Sequence, residues 1–292
     1  MPEQALDSEP KGRLKIFLGF APGTGKTYAM LDEAQRRKGR GQDVVLASVD
    51  SRGRSSTREE MEGIEQVPTL PGGQIDVASI LARRPDVAVI DDLHRSNPEG
   101  SQNAKRWQDI QQVLEAGINV LTTMNIYHLE SLQNAVEDIS GLSFADTVPD
   151  TVFRGAEEIE MCDATPRALI NRFDRGEIFP LDDAGPLAKL YDEGILSAFR
   201  ELAFREAAGR IDDDVMEARR EKKVERPWAT QDKVLICVTA TRRQFRLIRR
   251  GWRVAQRVHG QAVAVHVEDK PHSEHEERIL AVGGVNHPLQ HQ

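Results

Sequence analysis

The sequence predicts an α/β protein: a parallel sheet carrying helices, extended by a charged helical segment and followed by a partial second α/β unit. Three observations lead there. From Leu14 onward, short β-rich runs alternate with stretches of helical periodicity, the pattern of strands joined by crossover helices. One run, Val87-Ala-Val-Ile90, is continuously apolar, as a strand covered on both faces should be. After the charged run Arg219–Arg226 and Pro227, the alternation starts afresh at Lys233.

In order, Leu14–Leu18 reads as the first strand, closed by Gly19, and a helix runs from Lys26 to about Lys38, stopped by Gly39 and Gly41. Asp43–Val49 is the second strand, Asp86–Ile90 the third and Gly117–Thr123 the fourth. Helical stretches lie between them near Arg58–Ile64, Val77–Arg83 and Lys105–Ala116. Another spans His128–Ile139, with Asn125 placed to cap it. Glu158–Cys162 is the last strand of this unit. Pro186–Val224 reads as helical, with Leu187, Leu190, Ile195, Leu196, Phe199, Leu202 and Ala203 as one apolar stripe. Beyond it come a strand at Lys233–Val238, a helix at Arg243–Val258 and a strand at Gln261–Val267. The domains expected are a nucleotide-binding unit over 14–185, a helical extension over 186–226 and a partial α/β unit over 231–292.

Composition narrows the function. No apolar run approaches the roughly 18 residues that a membrane helix needs, so no membrane span is expected. Residues 1–13 lack the apolar core of a secretory leader and read as disordered. A net charge of −8 gives no electrostatic footprint for nucleic acid. Cys162 and Cys237 stand far apart in apolar surroundings and read as buried structural thiols, which suits a reducing, cytoplasmic setting.

One loop carries chemistry. Gly19-Phe-Ala-Pro22-Gly23-Thr24-Gly25-Lys26-Thr27, followed by Tyr28, lies between the first strand and the first helix. Glycines there let backbone N–H groups approach phosphates, and the helix N-terminus adds partial positive charge. Lys26 is suited to the β- and γ-phosphates of ATP and the Thr27 hydroxyl to Mg²⁺. The strict pattern wants Gly at position 20, where this chain has Phe20 and carries Gly19 one place earlier. The core Gly-x-Gly-Lys-[Ser/Thr] still arises by chance only about once in a hundred chains of this length. About sixty residues on, the apolar strand ends in Asp91-Asp92, the Walker B arrangement of a P-loop NTPase-like sheet. Asp91 would hold Mg²⁺, and Asp92 would orient a water as the candidate catalytic group.

These residues resemble the cytoplasmic N-terminal region of the KdpD family of potassium-responsive sensor histidine kinases. The resemblance rests on Lys26-Thr-Tyr-Ala-Met-Leu31, Asp91-Asp-Leu93, Ser96-Asn97, Gly100-Ser101 and the highly specific Lys105-Arg-Trp-Gln-Asp-Ile110. Thr122–Leu132, Thr147-Val-Pro-Asp150 and Arg200-Glu-Leu-Ala203 add to it. From Gln231 the chain resembles the start of that family's universal-stress-protein-like domain. The resemblance implies an ATP- and Mg²⁺-binding regulatory input module, with the loops around Ser96-Asn97 and Thr123–Asn125 as switch elements. It implies a histidine kinase or potassium-transport partner in signalling, and leaves room for a homo-oligomer. Cyclic dinucleotide binding belongs to the same resemblance, but the shortened second unit does not support it. The family has Asp-Glu where this chain has Asp91-Asp92, which puts efficient hydrolysis in question. Two other readings stand beside this one: a stand-alone P-loop small-molecule kinase or NTPase, with Arg52, Arg54 and Arg58 as lid arginines, and a non-hydrolysing scaffold.

Composition gives two further segments a structural reading. His272, His275, His287 and His291 lie in a polar tail that reads as non-metal. The helix at Arg242–Arg257 carries seven arginines around Phe245, Ile248, Trp252 and Ala255, read as a solvated face over a core stripe.

Overall fold

The computed structural model describes residues 11–51, 54–180, 184–222, 233–238, 244–257 and 261–266. The expected disorder at the N-terminus falls mostly outside them, as does the histidine tail. The chain divides into two compact units, residues 1–213 and 214–292.

The first unit holds strands β1 (Leu14–Gly19), β2 (Val44–Ser48), β3 (Glu65–Gln66), β4 (Val87–Ile90), β5 (Asn119–Asn125) and β6 (Glu158–Met161). They form one sheet in the order β3-β2-β4-β5-β1-β6, with every pair parallel. Its helices are α1 (Lys26–Gly39), α2 (Ser55–Met61), α3 (Val77–Arg83), α4 (Arg106–Glu115), α5 (Gln133–Ser140), α6 (Asp150–Arg154) and α7 (Pro166–Asp174), and α8 (Glu193–Lys222) begins in it.

Alternating residues separate the two faces of the sheet. Phe17, Val44, Leu46, Val87, Val89 and Leu121 pack with Met30, Leu31 and Ala34 of α1. Ile16, Leu18, Val45, Ala88, Ile90 and Val120 share the opposite core with Ile80 of α3, Ile110 and Val113 of α4, and Leu196 and Phe199 of α8. Covering both faces is what allows β4 to be wholly apolar. The apolar stripe expected beyond Pro186 is buried at Leu190, Leu196, Phe199, Leu202 and Ala203. Trp107 packs against this core, as its apolar ring should.

The elements differ from the expected ones in several places. β3 is a two-residue edge strand with no apolar signature, Glu65 and Gln66 both being exposed. Arg83 fixes this edge by donating to Asp43 at 2.6 and 2.8 Å and to Glu65 at 2.9–3.1 Å. The helix expected from His128 begins only at Gln133, after two 3-10 turns at Ile126–His128 and Glu130–Leu132. Asn125 does not cap it, because its side chain is drawn instead to Lys26 and Tyr127.

The second unit pairs β7 (Lys233–Val238) with β8 (Gln261–His266) in parallel, joined through α9 (Gln244–Arg257). α9 packs closely on β7 at Gly251, where a Cβ would collide with the Ile236 side chain. Ile236 and Ala255 are buried there. Two strands bury only one face, so Leu235 and Cys237 are exposed on the other. The expectation that both cysteines are buried therefore holds for Cys162 alone, whose thiol burial pushes up to about 11. Trp252, expected on the core stripe, is 56% exposed. Among the described residues, no helix is long and apolar enough to cross a membrane.

Candidate functional site

Strand order brings the distant motifs together. β5 lies between β1 and β4, with Gly19 level with Asn125 and Ile90 level with Thr122. The loop after β1, the end of β5 and the acidic turn after β4 therefore meet at the carboxyl edge of the sheet, where α/β folds place their ligands.

The glycine loop is built around close approach. A Cβ on Gly19 would collide with Thr24 Oγ1 and Lys26 Cδ. Gly25 takes a left-handed conformation (φ 92°) at the start of α1. No side chain caps that helix and its first turn has no acid. Its amide-rich, positive end thus suits an anion. Lys26 is buried, its Nζ donating to Asn125 Oδ1 at 2.6 Å and to Ala21 O at 3.1 Å. Asn125 in turn donates to the Tyr127 hydroxyl at 3.0 Å.

Thr27 Oγ1 donates to Asp91 Oδ2 at 3.1 Å. The other carboxylate oxygen of Asp91 accepts from Thr123 Oγ1 and, at 3.1 Å, from the Asp92 N–H. Thr27 and Asp91 are suited to Mg²⁺, but one hydroxyl and one carboxylate are too few for that ion, which would draw its remaining oxygens from phosphate and water. Asp92 has φ 57°, in the left-handed region that costs a non-glycine residue energy. Its N–H is held by both Asp91 and Thr123.

A buried arginine supports this turn from behind. Arg106 is only 2% exposed, and its guanidinium donates to Asp91 O at 2.6 Å and Gly73 O at 3.1 Å. Its Nε has no hydrogen-bond partner. The Lys105-Arg-Trp-Gln-Asp block singles this residue out in the sequence, but nothing there reveals that it reaches back fifteen residues.

Part of this constellation opens on a cavity of about 1060 Å³, which Gly19, Thr24 and Asp91 do not line. Pro22, Gly23, Gly25, Lys26, Thr27, Tyr28, Asp92 and Asn125 all line it. On the Asn125 side, His94 and His128 are stacked with ring centroids 3.5 Å apart, and Tyr127 stacks on Phe144 at 4.4 Å. His94 Nδ1 is buried without a hydrogen-bond partner. Burial pushes His94 down to about 4 and lowers His128 well below its ordinary value. Arg54, Arg172 and the segment Gly176–Pro180 also line it.

Ser96 and Asn97 do not line this cavity. Asn97 Nδ2 donates to Asp109 Oδ2 at 2.6 Å and to Asn103 O at 3.0 Å, which pins the loop to α4. Ser96 joins Lys105 and Asp146 in an exposed cluster. There, burial raises the Asp146 carboxyl, but hydrogen bonds from Lys105 and Ser96 outweigh it and hold the group below its usual range. The backbone carbonyl of Asp146 is bonded to His128 Nδ1 at 2.7 Å, so the cluster touches the cavity wall only indirectly. Thr123 and Asn125 lie within β5, not in a loop after it. Arg58 is exposed and lines no part of the cavity, while Arg52 lies outside the described residues.

Comparison with known proteins agrees with the motifs. Residues 10–211 match the family described as KdpD, osmosensitive K⁺ channel His kinase sensor domain. The sensor protein KdpD of Mycobacterium tuberculosis (strain CDC 1551 / Oshkosh) is 40% identical over 268 residues, covering 88% of this chain and 31% of that protein. That of Escherichia coli (strain K12) is 37% identical over 266 residues, covering 88% of the chain and 30% of the relative. The chain thus spans about a third of the length of these two proteins. A KdpD sensor relative in Synechocystis sp. is 37% identical over 265 residues and is covered over 70% of its length. A match over most of the first unit, the Lys105–Ile110 block in place, and this last relative lead to one conclusion: the chain belongs to the KdpD sensor domain family.

Proposed function

We propose that the first unit binds ATP with Mg²⁺ and serves as the nucleotide-responsive input module of a potassium-responsive two-component sensor. The observation that carries this reading is the convergence at the glycine loop. Lys26 and Thr27, adjacent in sequence, engage Asn125 at the end of β5 and Asp91 after β4. Adjacent side chains held by the ends of two neighbouring strands suit a ligand that presents phosphate oxygens and a divalent cation together.

Gly23, Gly25 and the first turn of α1 would hold the phosphates, with Lys26 at the terminal ones. Mg²⁺ would sit with Thr27 and Asp91 and neutralise phosphate charge. A response to the γ-phosphate would then pass through Asn125 and Thr123, which touch Lys26 and Asp91 directly. Both potassium and signalling through a kinase are read from the family to which the chain belongs. Isothermal titration of the chain with Mg·ATP tests the proposal. Lys26→Ala should abolish measurable binding while the circular dichroism spectrum stays unchanged; a variant that binds as tightly as the parent overturns the assignment.

A further inference from the structure

We propose that the segment after α7 holds the base of the nucleotide, with Phe179 as its stacking surface and Arg54 bracing it. This rests on the phosphate assignment above and extends it to the other end of the ligand.

The direction of the ligand follows from the loop. Lys26 turns toward Asn125 and Thr27 toward Asp91, so the terminal phosphate and metal belong on the β4–β5 side. The base is then assigned to the remaining lining, formed by Tyr28, Arg54 and Gly176–Pro180.

This part of the lining is tied directly to the phosphate loop. Arg172 donates to Gly23 O at 2.7 Å, and the Tyr191 hydroxyl donates to Pro22 O at 3.1 Å. Ile178 packs so closely on Gly23 that a Cβ there would lie 2.6 Å from its Cδ1. Arg54 Nη2 donates to Ile178 O at 2.6 Å, linking this wall to the start of α2. The wall is therefore held in register with the phosphates, as two ends of one ligand require.

The rings decide which wall suits a base. On the β4–β5 side they are already stacked face to face, His94 on His128 and Tyr127 on Phe144. Phe179 instead meets Phe173 and Tyr191 nearly perpendicularly, at 73° and 75° with centroids 5.8 and 5.9 Å away. Phe173 and Tyr191 stack on each other at 4.3 Å, which fixes the ring that meets them edgewise. Phe179 is half-buried at the cavity, flanked by Ile178 and Pro180, so a flat aromatic ligand finds an oriented, apolar surface there.

The test compares ATP with inorganic tripolyphosphate, both with Mg²⁺, on the full chain. Phe179→Leu keeps an apolar side chain and removes the ring; Phe179→Trp restores a ring and adds a fluorophore. Loss of one base stack should weaken ATP binding roughly 5- to 150-fold. Tripolyphosphate binding should stay within about twofold, since its contacts lie at the loop. The Trp variant should bind ATP like the parent, with an indole fluorescence change on ATP that exceeds that of the parent's three tryptophans and that tripolyphosphate does not produce. Equal loss for both ligands, no loss for either, or a silent indole on ATP binding overturns the proposal. Where tripolyphosphate binds too weakly to measure, the indole response decides alone. Lys26→Ala separates the two readings: if it leaves ATP binding intact, the phosphate assignment fails, whereas a Phe179 failure alone leaves that assignment standing.

Discussion

Mild acid should destabilise the first unit through the stacked pair His94 and His128. Burial is the largest influence on His94 and pushes it down to about 4; Asp92 and Asp146 pull the other way, while Lys26 and Arg106 lower it further. Burial also lowers His128, reinforced by His94, Lys26 and Lys105 and opposed by the bond to the Asp146 backbone. In the unfolded chain both return to about 6.5. Between pH 6.5 and 4 the unfolded state therefore binds protons that the folded state refuses. Stability is full above about pH 7 and falls as pH drops through this window. For His94 the gap from 6.5 to about 4 corresponds to about 3 kcal/mol, a large share of a typical 5–15 kcal/mol. His128 adds in the same direction. Carboxylates held low by partners, such as Asp146 and Asp163, lose their contribution only below about pH 4, so the two windows separate. Urea unfolding followed by far-ultraviolet circular dichroism at pH 7.5, 6.5, 5.5 and 4.5 measures the slope. His94→Phe keeps an aromatic ring in the stack and cannot take a proton, so its slope should be shallower by about one proton. A flat profile from pH 6.5 to 4.5, or an undiminished slope in the variant, would refute the reasoning.

Three other outcomes are expected. Asp91→Asn should weaken ATP binding more with Mg²⁺ than without it, because this carboxylate would act mainly through its charge on the metal; titrations with and without chelator check this, and equal losses count against the assignment. Turnover should be slow, since Asp92 is one methylene shorter than a Glu and sits in a strained turn, and a displacement of about 1 Å can cost on the order of 100-fold in rate. Asp92→Glu should raise the rate of phosphate release with little change in affinity, and a slower Glu variant argues against this role. Arg106→Leu should lower stability by about 2–4 kcal/mol, because it leaves the carbonyls of Asp91 and Gly73 buried without their donor. Thermal melts read that loss, and a shift of less than about 1 °C would show that the guanidinium holds nothing in place.

The sequence by itself determined the parallel α/β architecture and most of its strands. Buried strands such as β4 and amphipathic stretches such as α3 have a local periodicity that tertiary contacts reinforce. It also singled out Lys26 and Thr27 in one glycine loop and Asp91 after an apolar strand. Only the tertiary structure decided what surrounds them. β3 exists through pairing with β2 and the Arg83 fork, neither of which has a local pattern. Asn125 has the composition of a cap, yet the insertion of β5 between β1 and β4 brings it to Lys26, 99 residues away in sequence. Ser96 and Asn97 read as switch residues, but hydrogen bonds to Lys105, Asp109 and Asp146 keep them out of the cavity. Arg106 and the stacked histidines His94 and His128 gain their surroundings from partners that the local sequence does not reveal. A periodic pattern reports which face of an element is buried; which residue meets which across the sheet follows from strand order and register, and these are set by the packing of the whole unit.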